Sequence, residues 1–403
     1  MAGSRLRVVI CVAVYTKHIS YYDDWMDAFC KSDLFEAEVV NIMAPGAYDD
    51  LKRKQREADG IILLHSTNGD TLEYMVPLVG LLSERKCPLL SFVGNEFNFP
   101  GAYISEKRDL FKKFEPDFIA TQLLQEAGSF LFSDVVKQKV YSVPHALNSD
   151  VFQFKTAHKD RVWDLGGRAV TYLPHLGDRE RNELHDFFSA HSFDPDLKVD
   201  ISNDRFDRAG WADYLNSCRG TVSSEAGSWY LERDDRTVKA IEEWIKTVKT
   251  GASTIRSDGV IARLAQKLPY GLKQTIRSLM KFGPIQYESA VKEELNFQEV
   301  YDLFFEDTPK APVYSKCISS RHFDAIGTGT CQILLEGRYN DILIPHVHYI
   351  PLKADYSNLD EVLEIFHSAE SEKIAQNVSD YVRENHTYVH RAQTVYDILT
   401  SAQ

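Results

Sequence analysis

The chain has no C-x-x-C pair, and its six cysteines (Cys11, Cys30, Cys87, Cys218, Cys317 and Cys331) are scattered along it. That spacing excludes a zinc ribbon and a disulfide framework, and the cysteines read as reduced core thiols. No apolar run is long enough to cross a bilayer. The run from Leu6 to Tyr15 is too short, and no small-residue cleavage site follows it, so it reads as a buried first strand. Positive charge is in deficit: 46 Lys and Arg stand against 59 Asp and Glu, a formal net charge of -13. Broad contact with nucleic acid needs the opposite balance and is excluded. There is no low-complexity tract and no short-period repeat. No G-x-G-x-x-G follows the first strand, so a dinucleotide fingerprint is missing.

What is present is an ordinary globular composition, 44% hydrophobic and 26% charged, over 403 residues. That is more chain than one core organises, so two domains are expected. Over 1–155, short apolar runs at Val8–Tyr15, Ala37–Ile42, Gly60–His65, Pro88–Val93, Asp117–Thr121 and Lys139–Val143 alternate with helical stretches. This pattern predicts a parallel sheet covered on both faces, a Rossmann-like unit. After a polar crossover at Lys155–Arg161 the alternation returns over 156–378, with strands expected at Ala169–Leu173, Leu197–Ile201, Gly220–Ser224, Gln332–Glu336 and Tyr349–Leu352. A helical insertion is expected at about 234–312. Within it, 256–282 combines bases with apolar residues at helical spacing. Two readings stay open: a core-facing amphipathic pair, or a peripheral contact with anionic lipid.

Candidate chemistry concentrates in a few stretches. From Ile318 to Gly337 a polar opening, a helix-length segment and a buried strand follow without slack. A helix starting at Ser319 or Ser320 aims free N–H groups at its surroundings, a natural diphosphate site. Arg321 and His322 lie in its first turn, and Asp324 is placed to accept hydrogen bonds from ribose hydroxyls. Glu225, Gly227 and Ser228 follow a strand, at the sheet edge where such folds bind ligands; Glu225 is a candidate sugar contact, and the other two offer amides to phosphate. Arg168, Arg179 and Arg181 are candidates to neutralise a diphosphate, of which one is expected to serve. On the first domain, His65 and Glu96 each follow a strand and are the candidate bases. Asp194–Asp196 reads as a turn, and no acid cluster accompanies the pair His346 and His348, so no metal site is expected.

Several motifs in order extend this: Val143–Asn148, Gly177–Arg181, Ser224–Ser228, Arg321–Asp324, Glu336–Asn340, His348–Lys353, Asp355–Asn358 and His386–Arg391. Together they resemble group 1 glycosyltransferases of the GT-B type, especially the spore-coat-maturation-like branch and related bacterial capsule and O-antigen enzymes. The resemblance is weak over the first 130 or so residues and strong from Ile318 to Asn358. It implies two Rossmann-like domains facing a cleft, acceptor on the first and donor on the second, with a final helix over 379–403 crossing back to the first. It implies a metal-independent transfer of a sugar from a nucleotide-sugar co-substrate to a glycan or lipid-linked acceptor, at or near the cytoplasmic face of a membrane, in bacterial surface polysaccharide synthesis. His348, Tyr349 and Tyr339 would then stand at the donor. Asp324 takes the place of the second acid of the family's Glu-x7-Glu motif, but the first acid falls at Lys316. Other readings are a nucleotide-sugar epimerase or another GT-B activity, and a sugar-binding protein without catalysis.

Overall fold

The computed structural model describes residues 5–14, 20–168, 170–193, 197–251, 295–308 and 311–402. The basic segment 256–282 and the turn at Asp194–Asp196 lie outside the described residues. The first part runs β1 (Leu6–Val12), α1 (Ser20–Cys30), β2 (Phe35–Asn41), α2 (Ala47–Lys54), β3 (Gly60–Leu63), α3 (Val79–Ser83), β4 (Leu89–Phe92), α4 (Ile104–Phe114), β5 (Phe118–Thr121), α5 (Gln125–Phe132) and β6 (Lys139–Ser142). Its six strands form one parallel sheet in the order β2-β1-β3-β4-β5-β6. Residues of β3, β4 and β5 are buried throughout, because helices cover both faces and leave no wet side to favour alternation.

The second part runs β7 (Trp163–Arg168), α6 (Glu180–Ala190), β8 (Val199–Ser202), α7 (Arg208–Asn216), β9 (Cys218–Ser223), α8 (Arg236–Gly251), α9 (Phe297–Phe304), α10 (Ser320–Gly327), β10 (Cys331–Leu335), β11 (Ile350–Leu352), α11 (Leu359–His367), α12 (Glu370–Asn385) and α13 (Tyr388–Thr400). Its sheet is parallel, in the order β11-β10-β9-β7-β8. The strand expected at Ala169–Leu173 is a correction: the chain enters the sheet six residues earlier, at Trp163. Gly166 and Gly167 look like loop residues in the sequence, yet Gly166 sits in β7 because a Cβ there would collide with Cys218 Sγ and the Tyr214 hydroxyl.

Three features tie the halves together. Helix α13 packs Ala392, Val395, Ile398 and Leu399 into one core with Leu6, Ile10, Trp25 and Phe29. Across the interface, Arg208 Nη1 lies 3.0 Å from Asp24 Oδ1 and 3.1 Å from Asp27 Oδ2, while Asn148 donates to Asp24 at 2.6 Å. Asp235, just ahead of α8, accepts the backbone N–H groups of Ile104 and Ser105 and so caps α4 of the first part. No helix among the described residues is long and apolar enough to cross a membrane.

Candidate functional site

In the second sheet β8 lies on one side of β7 and β9 on the other. The chain therefore leaves β7 and β9 in opposite directions, which opens a crevice beyond their carboxyl ends. A cleft occupies that place, lined by Gly167, Arg168, Arg181, His185, Trp211, Ser223, Ser319, Arg321 and His322 among others. The amino end of α10 forms one wall. Ser319 is its N-cap, in extended backbone with φ -103° and ψ 164°. The Ser319 N–H donates to His322 Nδ1 at 3.0 Å, and the Ser319 hydroxyl is also 3.0 Å from that nitrogen. The His–cap pairing resembles a capping box with imidazole in place of the usual carboxamide. Ser320, half-buried, opens the helix.

The cap fixes the chemistry of His322. Burial, and next the field of Arg181, push its pKa down to about 3, so the ring is neutral at ordinary pH. Because Nδ1 accepts the Ser319 N–H, the neutral ring carries its proton on Nε2. That nitrogen is buried, with the Ser224 carbonyl as its nearby acceptor. Nearby His185 is held down to about 4 by burial, then by Arg181 and Arg321. At both imidazoles the charge of the neighbouring arginines adds to the larger effect of burial. Arg321 is exposed, its Nη1 donating to the Arg168 carbonyl at 2.9 Å. Arg181 lies over the Tyr172 ring at 4.2 Å and reaches only the Glu225 carbonyl, at 3.5 Å. Among the described residues neither guanidinium has a carboxylate within ion-pair distance.

Several sequence expectations need correction. Asp324 does not face the cleft: it is 1% exposed, and its Oδ2 accepts the Trp211 indole N–H at 3.0 Å, so that ring stands between carboxylate and cleft. Burial, then Asp24 across the domain interface, raises its pKa well above the usual carboxylate range. Arg168 lines the cleft, but its Nη2 is bound to Asp200 at 2.6 Å and its Nη1 to the Gly167 and Asp200 carbonyls and the Tyr214 hydroxyl. It anchors Arg321 through its carbonyl, and both terminal nitrogens of its guanidinium are already engaged. The amides of Gly227 and Ser228 are not open to phosphate, since they donate to the Tyr172 hydroxyl at 3.1 Å and Ser315 Oγ at 3.0 Å. Tyr339 and Tyr349 are fully buried in the core beneath α10 and cannot cover a base. His348 stacks on Tyr381 of α12 at 4.6 Å and accepts the Ile344 N–H, away from the cleft.

Glu225 stays at the sheet edge, buried, with Oε1 accepting the Tyr339 N–H at 2.7 Å. Burial raises its pKa. Lys316, where the first motif acid was expected, is buried and clasped by Asp178 and Glu180, each at 2.6 Å, so this cation is neutralised in place. On the first sheet, Glu96 spends both oxygens on the Thr121 hydroxyl and the Gln122 N–H. Burial pushes its pKa up to about 7. His65 is enclosed by Trp25, Phe92 and His145 at 5.3, 4.8 and 5.4 Å, with both ring nitrogens unbonded and its pKa well below the usual range through burial.

Trp211 and His185 were missed by sequence reasoning. Their helices were legible but their orientation was not, because it depends on which face of the sheet each helix covers. Arg181 was only one of three arginines, and nothing local separates it from Arg179, which lies over the Tyr301 ring instead.

Residues 291–397 match the family model described as glycosyl transferase-like. No curated protein matches the chain. Among solved structures, Anabaena HepE in complex with UDP and glucose has a TM-score of 0.50 at 9% identity, over 98% of this chain and 100% of that one. HepE in complex with UDP-glucose gives 0.50 at 10% identity, over the same shares of the two chains. At such identity the likeness concerns the fold, two Rossmann-like domains of the GT-B arrangement.

Proposed function

We propose that this chain, a GT-B glycosyltransferase of the group 1 type, grips the diphosphate of a nucleotide sugar at the amino end of α10 and transfers the sugar to a hydroxyl presented by the first domain. One observation carries the reading. The capped end of α10, Arg181 and Arg321 converge on the crevice at the switch point of the second sheet, where neither guanidinium is neutralised by a neighbouring carboxylate. An anion is what such a place stabilises. His322 lines the same crevice, and we assign its Nε2–H as a neutral donor to that anion.

In the reaction, the acceptor oxygen bonds to the anomeric carbon and the bond from that carbon to the β-phosphate oxygen breaks. The charge that develops on the departing diphosphate is met by the helix end and the two guanidinium groups, without a metal. Glu96 has both oxygens occupied and His65 is enclosed by aromatic rings, so the acceptor proton passes to a diphosphate oxygen. UDP-glucose, the ligand of HepE, is the first donor to try. The motif series points to a glycan or lipid-linked acceptor in bacterial surface polysaccharide synthesis, at the cytoplasmic face of the membrane.

A thermal-shift panel of UDP, GDP, dTDP and CMP tests the donor, because a ligand that binds only the folded chain raises the midpoint. At least one nucleoside diphosphate is expected to do so. Arg181→Ala and Arg321→Ala are each expected to weaken it about tenfold, the worth of one charge-assisted hydrogen bond. A flat response to the whole panel would remove the donor role.

A further inference from the structure

Three successive residues after β10, Tyr339, Asn340 and Asp341, have positive φ: 45°, 54° and 58°. None is glycine. L-residues avoid this region because Cβ crowds the neighbouring carbonyl, although Asn tolerates it better than most. A run of this kind persists only where surrounding contacts over-determine it.

Those contacts reach into both domains. The Tyr339 N–H holds Glu225, and its ring is sunk in the core of the second domain. Asn340 Oδ1 accepts the Ile318 N–H at 2.8 Å, one residue before the N-cap of α10. Asn340 Nδ2 donates to the Gln122 carbonyl at 2.9 Å, in the turn between β5 and α5 of the first domain. The Gln122 N–H is in turn held by Glu96 at 2.7 Å. One carboxamide is therefore bonded on one side to the entry of the anion-gripping helix and on the other to the opposite domain.

We propose that Asn340 is a positioning residue that sets the amino end of α10 in register with the first domain, so that a donor gripped there is presented to the acceptor side. The inference rests on the donor reading above. Asn340 is not among the residues that line the cleft. Its two bonds do separate work: the Ile318 bond places the helix end, and the Gln122 bond aligns that end with the acceptor domain. The left-handed backbone turns the one side chain so that it reaches both.

Two variants separate these bonds. Asn340→Asp keeps an acceptor for Ile318 and removes the donor to Gln122. Asn340→Gly removes both while suiting the positive φ. The full-length chain is titrated calorimetrically with UDP, GDP and dTDP, and nucleotide release from the glucose ester of the one that binds is timed. Asn340→Asp is expected to hold Kd within about twofold and slow release about tenfold, whereas Asn340→Gly weakens Kd about tenfold as well, one hydrogen bond's worth each. A wild-type rate in Asn340→Asp overturns the proposal. So does an equal loss of affinity in both variants that follows a fall in Tm, which would make Asn340 a structural filler. If the wild type binds none of the three nucleotides, the donor reading itself has failed.

Discussion

At His322 a cap that stabilises a helix also decides which ring nitrogen carries the proton. The two roles can be pulled apart, because the amide of Asn reaches where Nδ1 lies and the amide of Gln extends to where Nε2 lies. His322→Asn is expected to keep the cap and weaken nucleotide binding about tenfold, the loss of one donor; His322→Gln is expected to bind better than His322→Asn but melt lower. Calorimetry against UDP and melting curves read both, and equal nucleotide affinity in the two variants would exclude Nε2 from the site. A pH dependence follows too. The folded ring is neutral down to about pH 3, whereas the unfolded ring protonates below its ordinary 6.5. Its contribution to stability is complete above 6.5 and is lost progressively as pH falls toward 3, an increment that His322→Asn removes. Asp324 carries the contrary lesson at the same scale. Its place in the sequence suggests a ligand contact, and the Trp211 indole, 113 residues away in the chain, takes that place.

At the scale of the element, α10 was legible because its signals are local: a capping serine, a polar first turn, and then an apolar run that must be buried. β7 was not. Gly166 and Gly167 lower strand propensity, and only close approach to Cys218 and Tyr214 accounts for Gly166. Gly166→Ala is accordingly expected to lower stability by about 1–3 kcal/mol, the cost of forcing a methyl into a filled core. Urea unfolding measures it, and an unchanged midpoint would mean that β7 can slide away from α7. Gly337 is small for a comparable reason, since a Cβ there would strike the Glu225 carboxylate that holds the following turn.

At the scale of the whole molecule, two sheets are joined by a terminal helix that packs on the first after the second is complete. Leu399 in α13 is fully buried, 3.4 Å from where a Cβ on Gly60 would lie. Leu399→Ala is expected to cost about 2–5 kcal/mol, as truncation of a packed core side chain does. The urea midpoint of the full chain measures it; a loss under 1 kcal/mol would mean that α13 contributes little to the first domain. Alternation of apolar runs and helical stretches was enough to determine two parallel α/β units and nearly every strand, since burial on both faces writes itself into consecutive residues. The capped helix at Ser319 was determined in the same local way. Tertiary structure alone decided which arginines remain unpaired, why Asp324 is shielded, and that Asn340 bridges to Gln122 from 218 residues away. Such partners meet only when distant strands come side by side, and no local pattern of residue types encodes which of them will meet.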